Sequence, residues 1–359
     1  MSRPSEVKIY AGGLNFGKPL VNLMQSRVVN AVNLVAVKFR ANGSLKYPAQ
    51  VLRNFINKIE RATMKIAVIG AGKWGSALCD ALSVKNECVI TSRTPRQLVN
   101  FVSVKEALDC EALVFALAAQ QTAQWLDQNF INLGQKILVA SKGIDAASGR
   151  FLNEIFEAHV SRANLAFLSG PSFASEVMKK LPCALVVNSR NESLAAEFAA
   201  AFPGYIKTYV SGDVAGAEIC GAYKNVIAIA SGVCDGLELG ANARASLIAR
   251  GIVEIARFGK FFGAQDETFL GLSGVGDLFL TASSALSRNY RVGLGLARGK
   301  KLDEILSELG EVAEGVYTAS AVVALAAKHK IYVPIATEVY EILRGKDVEA
   351  SLKDLLRKK

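Results

Sequence analysis

The pattern of hydrophobic and polar positions along this 359-residue chain changes at Met64. Before Met64, short apolar runs alternate with glycine, asparagine and basic residues, and no period of two or 3.6 residues is sustained. After Met64, apolar runs of strand length recur at regular intervals, beginning with Lys65-Ile66-Ala67-Val68-Ile69-Gly70, which is typical of a buried parallel strand. The predicted strands are 65–70, 88–92, 112–117, 136–141, 164–169, 183–188 and 206–210.

Helical stretches separate most of these strands, for example 74–84 and 150–160. Repeated strand–helix–strand spacing predicts a mostly parallel sheet covered by helices on both faces. Beyond about Gly212 the strand pattern disappears, and the predicted elements are the helices 214–232, 242–260, 301–310, 315–329 and 334–343. The predicted fold class is therefore α/β plus all-α, with a sheet domain over 64–211 and a helical domain over 212–359.

The basic charge of the chain is concentrated in its first 63 residues. The whole chain has 42 Lys and Arg against 32 Asp and Glu. Residues 1–63 hold ten of the Lys and Arg residues but only two of the Asp and Glu residues. The rest of the chain is nearly neutral, which argues against a nucleic-acid partner. The leader 1–63 is expected to lie outside the fold. It is either a translated upstream region with Met64 as the natural initiator, a basic targeting peptide or a genuine appended segment.

Composition excludes several other classes of protein. Hydrophobic residues make up 51% of the chain, so the bulk of it is not disordered. No stretch approaches the roughly 20 apolar residues of a membrane span, so no stable membrane insertion is expected. The six cysteines are scattered without a C-x-x-C pair, and neither histidine has metal-ligand spacing. No metal is expected, and the cysteines are predicted to be reduced thiols.

A glycine-rich motif follows the first predicted strand and opens a helix. Gly70, Gly72 and Gly75 form G-x-G-x-x-G, with Lys73 and Trp74 between the last two glycines. In this context the glycines allow a tight turn, close approach to a pyrophosphate and close helix–strand packing. The helix N-terminus favours an anion. The motif predicts a Rossmann-like domain that binds a dinucleotide.

The end of the second predicted strand bears on which dinucleotide is bound. Thr91-Ser92-Arg93 stands where NAD-specific folds usually have an acidic residue. Arg93 can instead meet a 2′-phosphate, which favours NADP or tolerance of NADP and NAD. The alternative is that Arg93 is a solvated loop residue.

Several later segments carry candidate chemistry. Ser141-Lys142-Gly143 and Ser169-Gly170-Pro171-Ser172 each follow a predicted strand, at the edge where open α/β sheets bind ligands. Lys224 lies in an apolar helix, where an ammonium is costly without a partner and burial lowers its pKa. Arg288 and Asn289 are candidates for a phosphate clamp. The alternatives are a Lys224 side chain that reaches water and a solvated Arg288–Asn289 pair.

Taken in order, these motifs resemble the bacterial-type NAD(P)-dependent glycerol-3-phosphate dehydrogenases over essentially all of 64–343. The resemblance rests on Gly70 to Gly75, Ser141 to Gly143, Ser169 to Ala174, Lys224-Asn225, Gly276 to Thr281, Ser287 to Asn289 and Val312 to Gly315. Lys73 departs from the small residue usual before the aromatic. The resemblance implies reduction of dihydroxyacetone phosphate to sn-glycerol 3-phosphate for phospholipid synthesis, in a cytoplasmic homodimer.

The resemblance also implies roles for single residues. Lys224 is implied as the proton donor and acceptor, with Lys142 and Asp277 as its catalytic neighbours. The implied substrate contacts are Lys142, Gly170, Ser172, Lys224, Asn225, Asp277, Thr281, Ser287, Arg288 and Asn289. The implied cofactor contacts are Gly70, Gly72, Lys73, Trp74, Gly75, Arg93, Lys142, Ala174, Arg288, Val312 and Glu314.

Two other functions remain open on the residues. A different β-hydroxyacid-type dehydrogenase shares the sheet domain, the helical domain and a catalytic lysine. Arg288 and Asn289 together with Lys142 favour a phosphorylated ketone over a carboxylate. A dinucleotide sensor is the non-catalytic alternative, and it has no need of Lys142, Lys224 and Asp277 together.

Overall fold

The computed structural model describes residues 64–357, so the predictions for the leader 1–63 lie outside the described residues. Seven strands form one sheet, and all seven were predicted from the apolar runs. They are β1 (Lys65–Ile69), β2 (Glu87–Thr91), β3 (Ala112–Phe115), β4 (Lys136–Val139), β5 (Leu165–Ser169), β6 (Cys183–Asn188) and β7 (Ile206–Ser211).

The sheet has the strand order β2-β1-β3-β4-β5-β6-β7 and is parallel except between β5 and β6. β1 pairs with β2 on one side and with β3 on the other, with Val68 opposite Ile90 and Val114. The chain therefore reverses its winding direction between β1 and β3. Open α/β sheets bind ligands outside the carboxyl ends of the strands at such a reversal, so this topology places the site at the end of β1.

Helices cover both faces of the sheet, and the helix predicted over 74–84 is present with nearly the same bounds. They are α1 (Lys73–Ser83), α2 (Val104–Leu108), α3 (Ala119–Asn129), α4 (Leu152–Glu157), α5 (Ala174–Met178) and α6 (Glu192–Ala201). The helix predicted over 150–160 is shorter than expected, because the chain turns after Glu157. The short α2 and α5 have too few turns for a clear apolar period, so the sequence pattern did not indicate them.

The rest of the described chain is helical, as predicted beyond Gly212. Its helices are α7 (Val214–Gly236), α8 (Gly240–Phe261), α9 (Asp266–Leu270), α10 (Asp277–Ala282), α11 (Arg288–Ala297), α12 (Leu302–Leu309), α13 (Glu314–His329), α14 (Pro334–Leu343) and α15 (Val348–Arg357). A π-helical turn, Leu272–Gly276, precedes α10. The domain boundary at 211/212 stays a prediction, although β7 ends at Ser211 and α7 begins at Val214.

The central element of the helical part is α7, which is buried along most of its 23 residues. Helices α8, α10, α11 and α13 all pack against it. The contact with α11 is close, since a Cβ at Gly293 would lie 1.9 Å from the backbone oxygen of Ile229. Because α7 is enclosed on all sides, any charged side chain on it is held away from bulk water. This enclosure fixes the environment of Lys224.

The described residues contain no helix that is both long enough and apolar enough to cross a membrane. The long helix α7 is apolar because it packs inside the protein. Its residues Ile227 and Ile229, for example, are fully buried in the cluster that also contains Phe258 and Val322.

Candidate active site

The glycine-rich loop lies at the end of β1, as predicted. The backbone N–H of Gly70 donates to the Thr91 carbonyl at 2.8 Å, which ties the loop to the end of β2. A Cβ at Gly75 would lie 1.8 Å from the Gly70 carbonyl oxygen, so no other residue fits at the third glycine. Trp74 Nε1 donates to the Ala140 carbonyl at 3.1 Å, which ties the loop to the end of β4.

The local geometry fits a bound dinucleotide. Gly72 precedes α1, and a Cβ there would meet no atom within 4 Å, so open space lies in front of the helix N-terminus. That end of the helix offers free N–H groups and a positive dipole to a phosphate.

Glu314 supplies a second feature that fits a bound dinucleotide. Its Oε1 accepts a hydrogen bond from Ala119 N–H at 3.1 Å, at the start of α3. Its Oε2 is buried and makes no hydrogen bond of good geometry within the described residues, although the Gln120 side chain lies close enough to lower the pKa of Glu314. A Cβ at Gly143 would lie 3.3 Å from this Oε2. Burial raises the pKa of Glu314. An unsatisfied buried acceptor of this kind matches an amide donor such as a nicotinamide carboxamide.

The remaining predicted cofactor residues lie in more open positions. Arg93 is exposed just beyond β2, and Val312 is partly exposed just before α13. Ala174 is half-buried at the first position of α5, and α5 packs against α1.

The predicted catalytic residues meet at one carboxylate. Lys224 Nζ on α7 donates to Asp277 Oδ1 at 2.5 Å, and Lys142 Nζ donates to Asp277 Oδ2 at 2.6 Å. Asp277 is 1% exposed and begins α10. Lys142 follows β4 and also donates to the Gly170 carbonyl at 3.3 Å. The structure thus brings together residues from four separate segments, which are the ends of β4 and β5, the buried helix α7 and the start of α10.

Burial and charge shift the pKa values of this cluster in opposite directions. Burial lowers the pKa of Lys224 to about 8; Asp277 opposes this shift, and the like charge of Lys142 adds to it. Burial alone would raise the pKa of Asp277, but the two ammonium groups outweigh it and hold this pKa below its usual value. The cluster therefore holds an ionised carboxylate beside an ammonium that can release its proton near neutral pH.

A further one of the predicted substrate residues contacts this cluster directly, and two others are hydrogen-bonded to each other. Thr281 Oγ1 accepts a hydrogen bond from Lys224 Nζ at 3.0 Å. Asn289 Nδ2 donates to Asn225 Oδ1 at 2.9 Å, and Asn289 Oδ1 accepts from Gly315 N–H at 2.9 Å. Asn289 therefore joins α7, α11 and α13. The side-chain amide of Asn225 accepts the hydrogen bond from Asn289 through its oxygen and donates to the Gly221 carbonyl through its nitrogen.

Two predicted substrate residues have local hydrogen bonds. Ser287 is buried, and its hydroxyl accepts from Tyr290 N–H at 3.3 Å as the N-cap of α11. Ser172 Oγ donates to the Gly170 carbonyl at 3.3 Å, within the turn that follows β5. Gly170 has a φ of +104°, a left-handed conformation that favours glycine. These contacts position the turn and the start of α11, and a direct role in substrate binding stays a prediction for both residues.

Glu311 connects two of the predicted cofactor residues and was not predicted. Lys73, in the glycine-rich loop, forms a salt bridge with Glu311 Oε1. Arg288 Nη1 lies 3.3 Å from Glu311 Oε2. The pKa of Glu311 is lowered, chiefly by the hydrogen bond from Lys73. The only feature of the sequence that could have indicated a role for Glu311 is its position directly before the Val312-to-Gly315 motif.

Glu218 is a second unpredicted residue, and it lies on the same helix as Lys224. Its Oε1 accepts from Asn153 N–H at 2.8 Å at the start of α4, and its buried Oε2 has no hydrogen-bond partner within the described part of the chain. Burial raises the pKa of Glu218 to about 8. Like Lys224, Glu218 is a charged residue in an apolar helix, so the same feature of the sequence marks it as a candidate.

Comparisons with known protein families match both parts of the chain. The model of the NAD-dependent glycerol-3-phosphate dehydrogenase N-terminus matches residues 91–195, and the model of the C-terminus matches residues 213–353. A glycerol-3-phosphate dehydrogenase [NAD(P)+] from Campylobacter lari is 65% identical over 296 residues, which are 82% of this chain and 99% of the relative. The corresponding protein from Sulfurimonas denitrificans is 62% identical over 292 residues, 81% of this chain and 99% of the relative.

Solved structures agree with the family matches. A glycerol-3-phosphate dehydrogenase from Coxiella burnetii has a TM-score of 0.76 and 31% identity, covering 83% of this chain and all of that chain. One from Plasmodium falciparum has a TM-score of 0.73 at 21% identity, covering 85% of this chain and 98% of that chain, and it shares the fold. The resemblance predicted from the ordered motifs is confirmed: the chain belongs to the family of NAD(P)-dependent glycerol-3-phosphate dehydrogenases.

Proposed function

We propose that this protein catalyses the reversible reduction of dihydroxyacetone phosphate to sn-glycerol 3-phosphate with NADH or NADPH, and that Lys224 is the proton donor and acceptor. Family membership supports the reaction and the cofactor class. The observation that carries the role of Lys224 is the buried cluster in which Asp277 holds both Lys224 and Lys142.

The residues of the cluster account for the movement of the proton. When bound, the reduced nicotinamide supplies a hydride to the carbonyl carbon, and negative charge develops on the carbonyl oxygen. Lys224 donates its proton to that oxygen, and its lowered pKa of about 8 makes the transfer feasible near neutral pH. A neighbouring ammonium in a site closed to water stabilises the developing charge strongly, and Lys142 supplies it.

Asp277 keeps the two lysines in place. Each of its carboxylate oxygens accepts a hydrogen bond from one ammonium group. Without it, two cations would lie together in a buried site, which costs several kcal/mol. Asp277 therefore positions Lys224 and limits the fall of its pKa. Thr281 Oγ1 accepts a second hydrogen bond from the Lys224 ammonium, which leaves its third N–H to point toward the substrate.

The phosphate end of the substrate is assigned to α11. Arg288 is the first residue of α11, so both its guanidinium and the helix N-terminus attract an anion. Its side chain is 42% exposed and pairs only loosely with Glu311, so it is free to turn toward a phosphate. Asn289 holds this helix end against α7 and α13.

The dinucleotide is assigned to the loop between β1 and α1. Gly70, Gly72 and Gly75 would hold the pyrophosphate, and the buried Oε2 of Glu314 would accept a hydrogen bond from the carboxamide. Arg93 lies beyond β2, where the 2′ position of the adenosine ribose falls in this fold. We assign Arg93 to a 2′-phosphate, which makes NADPH an accepted cofactor.

The decisive experiment measures loss of absorbance at 340 nm with purified full-length protein and dihydroxyacetone phosphate. We expect oxidation of NADPH or NADH with this substrate and none with unphosphorylated dihydroxyacetone or a 2-oxo acid at the same concentration. Turnover of the 2-oxo acid alone would assign the chain to a different β-hydroxyacid-type reaction. Binding of NADPH without turnover of any of the three would leave only the sensor function.

Three further parts of the proposal concern the setting of the reaction. We propose that sn-glycerol 3-phosphate made by this protein feeds phospholipid synthesis, that the enzyme works in the cytoplasm and that it is a homodimer. Analytical ultracentrifugation at micromolar concentration tests the dimer. Cell fractionation tests the location. Incorporation of labelled glycerol 3-phosphate into lipid, with and without the gene, tests the role in synthesis.

A further inference from the structure

Two cysteines lie in contact behind the dinucleotide loop. Cys79 Sγ, on the inner face of α1, is 3.2 Å from Cys88 Sγ on β2. All six cysteines lie in the described part of the chain and are free thiols, and Cys79 and Cys88 are the two whose sulphurs are hydrogen-bonded to each other. The side chains of this pair are almost fully buried, with Cys79 3% and Cys88 8% exposed.

Asn100 lies over this pair on its outer side. Its Nδ2 donates to Cys79 Sγ at 3.0 Å and to the Cys88 carbonyl at 3.1 Å. Hydrogen bonds to sulphur favour the thiolate, and the pKa of Cys79 is lowered, chiefly through its contact with Cys88. The pKa of Cys88 is raised by that same contact and by burial. Cys79 is therefore the better nucleophile of the pair. The segment 93–99, next to Asn100 in the chain, is exposed.

We propose that Cys79 and Cys88 form an intrachain disulfide on reaction with a hydroperoxide, and that this bond weakens dinucleotide binding. The Cys79 thiolate attacks one peroxide oxygen, the O–O bond breaks and hydroxide leaves, which gives a sulfenic acid. The Cys88 sulphur then attacks the Cys79 sulphur and displaces hydroxide. The two thiols lose two protons and two electrons in total, and hydrogen peroxide is reduced to two molecules of water.

The link to dinucleotide binding follows from where the two elements end. Helix α1 begins at the glycine-rich loop, and β2 runs directly to Arg93. A disulfide is about 2.05 Å long, so the two sulphurs must approach by roughly 1 Å. Helix α1 is packed tightly against the glycine-rich loop at Gly75, since a Cβ there would overlap the Gly70 carbonyl, so the helix cannot shift without moving the loop. Part of this shift therefore reaches the helix N-terminus that would hold the pyrophosphate.

The first test is chemical. The full-length protein is treated with hydrogen peroxide, its free thiols are alkylated, and it is digested with trypsin. Cleavage after Lys73, Lys85 and Arg93 separates the peptide 74–85, which contains Cys79, from the peptide 86–93, which contains Cys88. We expect these two peptides to be linked, lighter by two hydrogen atoms than their sum, and to separate on reduction with dithiothreitol. Oxidation of other cysteines without this link would overturn the proposal.

The second test measures binding. We expect peroxide to raise the Kd for NADPH, followed by its fluorescence, about tenfold, and dithiothreitol to restore it. Cys79→Ala and Cys88→Ala should abolish the response, whereas Cys183→Ala, which lies on β6, should retain it. If the disulfide forms but the Kd for NADPH is unchanged, the proposed effect of the disulfide on dinucleotide binding is wrong. Should either variant fail to fold, recovery of the wild-type protein on reduction still decides the question. These two tests measure peptide mass and NADPH binding, so their outcome does not depend on whether the protein turns over dihydroxyacetone phosphate.

Discussion

Lys224 Nζ lies 2.5 Å from Asp277 Oδ1, and Lys142 Nζ lies 2.6 Å from the other oxygen of the same carboxylate. This arrangement places one negative charge between two positive ones in a site where Asp277 is 1% exposed. Burial is the main reason why the pKa of Lys224 falls; the negative charge of Asp277 opposes this fall, and the positive charge of Lys142 adds to it. The chemistry proposed for the protein depends on this balance.

Replacement of Lys224 should remove the proton donor and leave the cofactor site intact. We expect Lys224→Ala to lower kcat for dihydroxyacetone phosphate reduction by about 10²- to 10⁴-fold, the usual contribution of a general acid. The Kd for NADPH, measured by its fluorescence, should stay unchanged. Lys207→Ala, on the partly exposed β7, is the control and should keep full activity. A Lys224→Ala enzyme with near-normal kcat would assign the proton transfer to another group.

The dependence of the rate on pH should report the state of Lys224. Reduction needs the ammonium form, so its kcat/KM should fall as pH rises through about 8, while oxidation of glycerol 3-phosphate needs the neutral amine and should rise there. Asp277→Asn removes the charge that supports the ammonium, so the break should move to lower pH. Stopped assays in overlapping buffers measure both profiles. If the pH at which kcat/KM changes is the same in Asp277→Asn as in the wild-type enzyme, the titrating group is a residue other than Lys224.

Arg288 should act on the substrate phosphate. We expect Arg288→Ala to raise KM for dihydroxyacetone phosphate by about 10- to 100-fold, which corresponds to the roughly 1.5–3 kcal/mol of a hydrogen bond to a charged group. Arg298→Ala, at the exposed C-terminal end of α11, is the matched control and should leave KM unchanged. Added inorganic phosphate should compete with substrate in the wild-type enzyme and much less in Arg288→Ala. If inorganic phosphate competes equally well in the wild-type enzyme and in Arg288→Ala, the substrate phosphate binds at another residue.

Arg93 should decide how well the enzyme accepts NADPH. A salt bridge to a 2′-phosphate is absent with NADH, so Arg93→Ser should weaken NADPH binding about tenfold and leave NADH binding unchanged. Arg190→Ala, an exposed arginine just beyond β6, is the control. Isothermal titration with each cofactor gives the two Kd values. Equal loss for both cofactors would show that Arg93 does not distinguish them.

Glu311 should oppose dinucleotide binding. It pairs with Lys73 and Arg288, two cations that are predicted to contact the cofactor. We expect Glu311→Gln to tighten NADPH binding by about two- to fivefold, since each partly exposed pair contributes about 0.2–1 kcal/mol. The gain should shrink as salt is added. Glu308 lies on α12 and pairs with Lys300, so Glu308→Gln is the control and should change nothing. Weaker binding in Glu311→Gln would show that Glu311 positions the two cations instead.

Local patterns were enough to predict most of the fold. Strand-length apolar runs located all seven strands, because buried parallel strands need apolar residues on both faces. The long α7 and α8 followed from sustained helical periodicity. The antiparallel pairing of β5 with β6 was beyond prediction, since strand direction depends on the path of the connection between them. The short α2, α5 and α9 were missed because five residues are too few to show a period. The ten-residue helices α11 and α15 were not predicted either.

The sequence by itself determined the family, the dinucleotide loop from Gly70 to Gly75 and the identity of the candidate catalytic residues. These depend on residue type and order, which a motif records directly. Only the tertiary structure decided that Lys142, 82 positions before Lys224, donates to the same carboxylate, and that Glu311 joins Lys73 to Arg288. Nor does the sequence disclose that Cys79 and Cys88 are in contact. Such relationships arise where separate elements pack, and the free energy of that packing depends on the whole chain rather than on a local pattern.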